Sequence, residues 1–266
     1  MRRSKTGNDE DAKSGAHSQT LLRGLSILKC FDGTTQALSV TDLAKLTGIP
    51  QPTVWRFCRT LQSAGYLTNG SSGTLFRPGL ALLSLGFAAI SHFDLAHHAR
   101  HRLVELADEY GAVAGITSRD GLRMRIVDRH EAVNAVLSYN ARVGATLPMA
   151  TTASGWAYLA SLVEADRDKL IAQLTKEQPD LWHLARPLFV KALQRFRREG
   201  VIVSSGPIER GLTTVAIPIT SASGDTAYPL YCSAISAALP ETLIKNKLAP
   251  ALKKIAAELR VALSGA

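Results

Sequence analysis

Residues Ser39 to Leu67 read SVTDLAKLTGIPQPTVWRFCRTLQSAGYL, two short amphipathic stretches on either side of Gly48. Ser39 and Asp42 stand in capping-box spacing, so the Ser39 hydroxyl can take an otherwise orphan backbone N–H of a first turn. Val40, Leu43, Ala44 and Leu46 follow at near-helical intervals and predict one apolar stripe. Gly48 suits the left-handed backbone that ends a helix, and Ile49 is an apolar plug for the turn. Pro52 fits the first turn of a second helix, where its missing N–H costs nothing. Along that helix Val54, Phe57, Cys58 and Leu61 recur at i, i+3, i+4 and i+7 and are predicted to face inward. Thr53, Trp55, Arg56, Arg59 and Gln62 are left facing outward. This is a helix-turn-helix pattern, and two arginines on its second helix suit reading of a major groove, because Arg pairs bidentately with guanine. On pattern alone, an ordinary helical hairpin with a solvated basic face remains open.

Working outward, YLTNGSSGTLFRP after Gly65 holds two apolar, aromatic-containing runs, Tyr66-Leu67 and Leu75-Phe76, around an Asn-Gly-Ser-Ser-Gly cluster. That predicts a β-hairpin. A hairpin directly behind a recognition helix makes the winged variety, with Arg77 positioned to touch phosphate or the minor groove without specifying sequence.

From Leu21 to Gly86 these residues resemble the DNA-binding domain of IclR-type bacterial transcriptional regulators. The likeness rests on the leading helix with Arg23, Leu25, Ile27, Leu28 and Phe31, on Leu43-Ala44, on the Pro50-x-x-Thr53-Val54-x-Arg56 core and on Leu61-x-x-x-Gly65-Tyr66-Leu67. The resemblance implies double-stranded operator DNA as a partner, read by Gln51, Thr53, Trp55, Arg56, Arg59 and Arg77.

Composition is consistent with that partner. The chain of 266 residues is 46% apolar, enough for real cores, and its net charge is +9. Up to Leu85 there are ten Lys/Arg against five Asp/Glu, leaving twenty-one against seventeen for the remainder, so charge density is higher at the N-terminal end. Cys30, Cys58 and Cys232 form no paired spacing, which argues against a disulfide framework or zinc module. The polar segment 1–17, with Arg2, Arg3 and Lys5, is expected to be a disordered arm, and it lacks the apolar core of a signal peptide. The longest apolar run, Gly79 to Ile90, is too short for a bilayer, which takes about 20 residues. A soluble, cytoplasmic protein with no membrane partner is the expectation.

Gly79 to Glu109 reads as nearly continuous helix with an apolar surface at Leu80, Leu83, Leu85, Phe87, Ile90, Phe93, Leu95, Leu103 and Leu106. Apolar surface on a connecting helix predicts contact with another copy, and the resemblance implies a linker that supports a homodimer or homotetramer. His92, His97, His98 and His101 lie in it. His97 and His101 at i, i+4 could share a metal, but apart from Asp94 no Cys, Asp or Glu completes a ligand set at matching spacing. A solvated face is the reading taken and no metal is assigned, with a metal-responsive regulator as the alternative.

Beyond Gly111 strands and helices alternate. Val113–Thr117 and Met124–Val127 predict a hairpin across Arg119-Asp120-Gly121, Val136–Tyr139 a further strand, and Ser154–Val163 and Leu188–Arg198 helices. Strands at Val201–Ser204, Thr213–Ile219 and Tyr228–Ile235 precede a closing helix, Glu241–Leu263, expected to bend at Pro250. The predicted class is α+β: an arm over 1–17, a winged helix-turn-helix over 18–80, a linker and dimerisation helix over 81–110, and an α/β effector-binding domain with an antiparallel sheet over 111–266. The resemblance extends, more loosely, to this half and implies a GAF-like fold.

In LPMATTASGWAYLA, from Leu147, Thr151 to Gly155 fall where a helix begins after a loop of small residues. Free backbone N–H groups there suit carboxylate or phosphate oxygens. The resemblance implicates Ala153, Ser154 and Gly155 at an effector site, Ser204 and Thr214 in VIVSSGPIERGLTTVAIPI, and Tyr231 and Ser233 in YPLYCSAI. As ordinary residues, these serines and threonines would cap elements and close turns. Two departures from the family pattern stand out: Ser204-Ser205-Gly206-Pro207 where an acidic pair is usual, and Trp156 where a Lys is usual. Replacing carboxylates by hydroxyls removes repulsion toward an anion, and Trp156 and Tyr231 add aromatic surface, so the expected effector is a small organic acid, aromatic carboxylates included. No Gly-x-Ser-x-Gly elbow, dinucleotide fingerprint, phosphate loop or His-Glu-x-x-His occurs, so neither an enzyme nor a cofactor is predicted.

Overall fold

The computed structural model describes residues 18–31, 37–70, 74–91, 94–133, 135, 141–205, 211–221 and 227–264. The chain packs as two units, Met1–Ala89 and Ile90–Ala266.

In the first unit, helices α1 (Gln19–Lys29), α2 (Val40–Thr47) and α3 (Gln51–Ser63) pack on a small antiparallel sheet of β1 (Leu38–Ser39), β2 (Leu67–Asn69) and β3 (Leu75–Pro78), in the order β1-β3-β2. The capping box forms in full: Ser39 Oγ accepts from Asp42 N, and Asp42 Oδ2 accepts from Ser39 N, each at 3.1 Å. These bonds hold the Asp42 carboxyl below its ordinary pKa, the Ser39 side chain contributing most. Gly48 ends α2 at φ +69°, its N–H donating to Ala44 O at 2.9 Å, and a residue with a Cβ is disfavoured there. Ile27, Leu38, Leu43, Ile49, Val54, Cys58, Leu67 and Phe76 form the core, with Val40, Ala44, Phe57 and Leu61 half-buried around it. One expectation fails: Leu46 is 63% exposed, because the buried stripe of α2 runs through Val40, Leu43 and Ala44 and leaves position 46 to one side. Strand β1, two residues long, carries no periodicity from which to predict it.

The predicted continuous helix is found as α4 (Ala81–Ser91) and α5 (Asp94–Tyr110); residues 92–93 lie outside the described residues. Leu80, Leu83, Leu85 and Phe87 are exposed on the single chain.

The second unit is built on a six-stranded antiparallel sheet in the order β6-β5-β4-β9-β8-β7. Its strands are β4 (Val113–Asp120), β5 (Arg123–Glu131), β6 (Thr146–Pro148), β7 (Ile202–Ser205), β8 (Leu212–Thr220) and β9 (Ala227–Ile235). On one face α5 meets β5 through Arg100–Asp128 at 3.6 Å and His130–Asp108 at 3.7 Å, and α10 (Ala249–Ser264) packs against α5 and β8. On the other face lies α6 (Ala153–Ser161), with Arg119 of β4 stacked over Tyr158 at 5.9 Å. Strand alternation separates the faces, since Asp128 pairs with Ile116, three residues from Arg119.

Two helices depart from expectation. Glu164–Glu177 (α7) was not predicted: its stretch is mostly polar and buries only Arg167, Leu170 and Leu174, with Arg167 donating to Leu162 O at 3.2 Å. Helix α8 runs from Pro179 to Glu199, longer than the predicted Leu188–Arg198, and passes through Pro187. Proline immediately before a helical run reads as its start, yet here both Pro187 and His183 are exposed, so water can take the carbonyl that the missing N–H leaves unbonded. The closing helix, predicted as one run over Glu241–Leu263, is found as a short turn, α9 (Glu241–Leu243), a π-helical turn over Ile244–Leu248 and α10, which contains Pro250. The predicted strand Val136–Tyr139 lies outside the described residues, as do the N-terminal arm and the Gly206-Pro207 pair.

Candidate DNA interface and effector site

Helix α3 presents Gln51, Trp55, Arg56 and Arg59 as exposed side chains and Thr53 half-buried, while Arg77 is exposed on β3 of the wing. Among the described residues no carboxylate pairs with Arg56, Arg59 or Arg77, so all three cations are available to an anion. Gln51 Nε2 donates to Thr41 Oγ1 at 3.3 Å, tying the first residue of α3 to the first turn of α2. Trp55 is 48% exposed, and its ring meets Phe76 of β3 edge-on at 5.9 Å. The Arg59 guanidinium lies 5.8 Å over the Trp55 ring. Gln62, expected to face outward, is half-buried: its Oε1 accepts from Arg59 Nη1 at 3.0 Å and its Nε2 donates to Asn69 Oδ1 of β2 at 2.8 Å. Asn69 had no sequence signal beyond its place in a turn cluster.

In the second unit, the residues implicated from the sequence at an effector site come together on the α6 face of the sheet. Ser204 pairs with Thr214, and Thr214 with Ser233, so three hydroxyl side chains form one cross-strand row. Thr214 Oγ1 and Ser233 Oγ are hydrogen-bonded at 2.9 Å. Tyr231 lies in the next row, opposite Gly115. The tyrosine hydroxyl crosses directly over that glycine, where an added Cβ would come within 2.6 Å of it. Ala153, Ser154 and Gly155 form the buried start of α6. The expected free N–H groups are fewer than the sequence suggests, because Thr152 Oγ1 accepts from Gly155 N at 3.2 Å while donating to Pro148 O at 2.8 Å.

Trp156 requires a correction: it does not add ligand-facing aromatic surface. Only 2% exposed, it donates its indole N–H to Ala150 O at 2.7 Å and packs edge-on against Phe189 of α8 at 6.3 Å. A further buried hydroxyl, which the sequence did not single out, lies on β4. Thr117, on the same face of β4 as Gly115, is fully buried, and its Oγ1 has no hydrogen-bond partner among the described residues. An unpaired buried hydroxyl is costly, and Thr117 stands two residues along β4 from Gly115, the residue paired with Tyr231.

His101 pairs with Glu105 at 3.1 Å, His92 lies outside the described residues, and among the described residues no three His, Cys, Asp or Glu side chains are grouped to hold an ion. Among the same residues no helix is long and apolar enough to cross a membrane.

A winged helix-turn-helix whose recognition helix carries arginines that no described carboxylate pairs with, joined to an α/β unit with an antiparallel sheet, defines the class of DNA-binding regulators. The chain belongs to the IclR family: the IclR helix-turn-helix domain matches residues 20–70, and the domain described as bacterial transcriptional regulator IclR C-terminal matches residues 87–261. It is similar to the HTH-type transcriptional regulator TsaQ1/TsaQ2 of Comamonas testosteroni, 31% identical over 248 residues, which span 91% of this chain and 89% of that protein. Its fold is similar to that of an IclR family transcriptional regulator from Brucella abortus, with TM-score 0.79, 27% identity and 97% of each chain covered. It is also similar in fold to an IclR homolog from Microbacterium hydrocarbonoxydans complexed with 4-hydroxybenzoate, with TM-score 0.72, 20% identity, and 93% of this chain and 98% of that one covered. The protein is thus a DNA-binding transcriptional regulator, in a family of regulators and not of enzymes.

Proposed function

We propose that this regulator reads a specific operator through Gln51, Thr53, Trp55, Arg56 and Arg59 of α3, with Arg77 gripping the backbone from the wing, and that a small organic acid bound in the second unit sets its affinity for DNA. The observation that carries the first half is the exposed α3 face, where Arg56 and Arg59 have no acidic partner among the described residues. Arginines without an acidic partner suit guanine edges and phosphates. The second half is supported by the Ser204–Thr214–Ser233 row, by Tyr231 beside it, and by the start of α6 at Ala153, Ser154 and Gly155. Thr117 joins this group as a buried hydroxyl that a ligand oxygen can satisfy. In a protein of similar fold the bound molecule is 4-hydroxybenzoate, which makes aromatic carboxylates the first chemicals to test.

Division of labour follows the domain reading: 18–80 for DNA, 81–110 as linker and dimerisation helix, and 111–266 for the effector, acting in the cytoplasm. Exposed Leu80, Leu83, Leu85 and Phe87 support a homodimer or homotetramer, which presents pairs of recognition helices to two half-sites. The effector must bind the DNA-competent and DNA-incompetent states with different affinity, because otherwise no shift follows.

The test has two arms. Gel retardation of the protein's own upstream region at low ionic strength is expected to give a discrete complex, and its absence with folded protein refutes the DNA reading. Titration calorimetry against aliphatic and aromatic carboxylates is expected to find a binder, and no heat at millimolar levels from any of them refutes the effector class.

A further inference from the structure

Arg59, Gln62 and Asn69 form one hydrogen-bonded chain that joins the recognition helix to the wing. Arg59 Nη1 donates to Gln62 Oε1 at 3.0 Å, and Gln62 Nε2 donates to Asn69 Oδ1 at 2.8 Å. Its polarity is dictated by chemistry. Arginine has donors only, so Gln62 must turn its carbonyl toward Arg59 and its amide toward the wing, and Asn69 must receive that amide with its own carbonyl. A second tether runs alongside, from Arg59 over Trp55 at 5.8 Å and from Trp55 to Phe76 of β3 at 5.9 Å. The guanidinium is therefore held on one side by a hydrogen bond and on another by a ring, both traced back to the wing. Among the described residues only Nη1 donates a hydrogen bond, which leaves a pair of donors for a bidentate contact.

We propose that Gln62 and Asn69 are positioning residues for Arg59: the wing, through this relay, fixes the guanidinium in the orientation in which it forks onto a base edge. The inference rests on the reading of the α3 face given above. A free arginine gives up its rotamer freedom when it binds, whereas a tethered one has given it up on folding, so the tether strengthens and sharpens recognition without touching DNA. The wing thereby contributes to sequence preference, a role distinct from the phosphate grip of Arg77.

The experiment uses the full chain and duplexes that the wild-type protein enriches from a randomised pool. Asn69→Ala is expected to weaken binding to the preferred duplex by roughly threefold to tenfold, the worth of one hydrogen bond. It is also expected to flatten base preference at the base pair where Arg59→Ala flattens it. In the Arg59→Ala background, Asn69→Ala is expected to cost nothing further. Asn69→Asp keeps the acceptor for Gln62 and should keep the base preference, even as its added charge weakens all duplexes alike. Gln62→Met cuts the relay in its middle on a helix-compatible side chain and should reproduce the flattening. Additive losses in the double mutant, or base preference retained in Gln62→Met, overturn the proposal. So does uniform weakening of all duplexes by Asn69→Ala with base preference intact, which assigns Asn69 to a phosphate contact. Failure of the wild-type protein to enrich any duplex refutes instead the reading of α3 on which the relay depends.

Discussion

Thr117→Val tests the effector site with a change of almost no volume. Thr117 is fully buried on β4 and its hydroxyl has no hydrogen-bond partner among the described residues, so it carries an uncompensated desolvation cost of about 1–3 kcal/mol. Valine keeps the β-branched shape that suits a strand and removes the polar atom. The unliganded variant should therefore be more stable by about 1–2 kcal/mol. For a domain of this size that raises the midpoint of its unfolding transition by about 2–8 °C. The ligand-bound protein should respond in the opposite sense: if the effector satisfies this hydroxyl, the variant loses one hydrogen bond and binds threefold to tenfold more weakly. Scanning calorimetry with and without effector reads the first effect, and titration calorimetry the second. A midpoint lowered by more than about 2 °C in the unliganded variant shows that the hydroxyl is already satisfied there and refutes the reasoning. Greater stability with unchanged affinity removes Thr117 from the contact. Gain in stability at the expense of binding is the pattern expected where a site keeps a strained group for its ligand.

Arg56→Ala should relax specificity at one base pair and cost about 1–3 kcal/mol in operator affinity if it reads guanine; equal weakening on all duplexes in a mobility-shift titration assigns it to phosphate. Ser39→Ala should lower the midpoint of the DNA-binding domain, because it removes the Oγ that accepts from Asp42 N and donates to Asp42 Oδ2, leaving only the Ser39 backbone N–H on Asp42. Since the Asp42 pKa is depressed in the folded state, mainly by the Ser39 side chain, its contribution is complete above the unfolded value of about 4 and is lost as pH falls through the lower folded value. Wild-type and Ser39→Ala stabilities should accordingly converge in acid, and a gap that stays constant on acidification counts against the cap. Burial pushes the Cys58 thiol up to about 11 and the Cys232 thiol up to about 12. Alkylation of native protein at pH 8, followed by mass spectrometry, should therefore label Cys30 first, with all three reacting after denaturation; early labelling of Cys232 would contradict its burial.

Much of the DNA-binding unit is legible because its signals are local. The Ser39–Asp42 box, the Gly48 turn and the spacing of Val54 and Cys58 each act within a turn or two of backbone, and the structure contains all of them. The second unit shows where local signals fade. Helix α7 hides in a polar stretch that buries only three side chains, and Pro187 conceals the first half of α8. Leu46 and Trp156 look alike as apolar residues on helices, yet one is exposed and the other is packed against Phe189. The sequence alone determined that a basic, capped helix pair precedes a hairpin and an alternating α/β region, since caps, turns and periodicity are properties of neighbouring residues. Only the tertiary structure decided that Ser204, Thr214 and Ser233 share one row, that Thr117 is buried without a hydrogen-bond partner among the described residues, and that Asn69 reaches Arg59 through Gln62. Strand register and cross-element contact depend on which distant segments meet, and packing of the whole chain sets that.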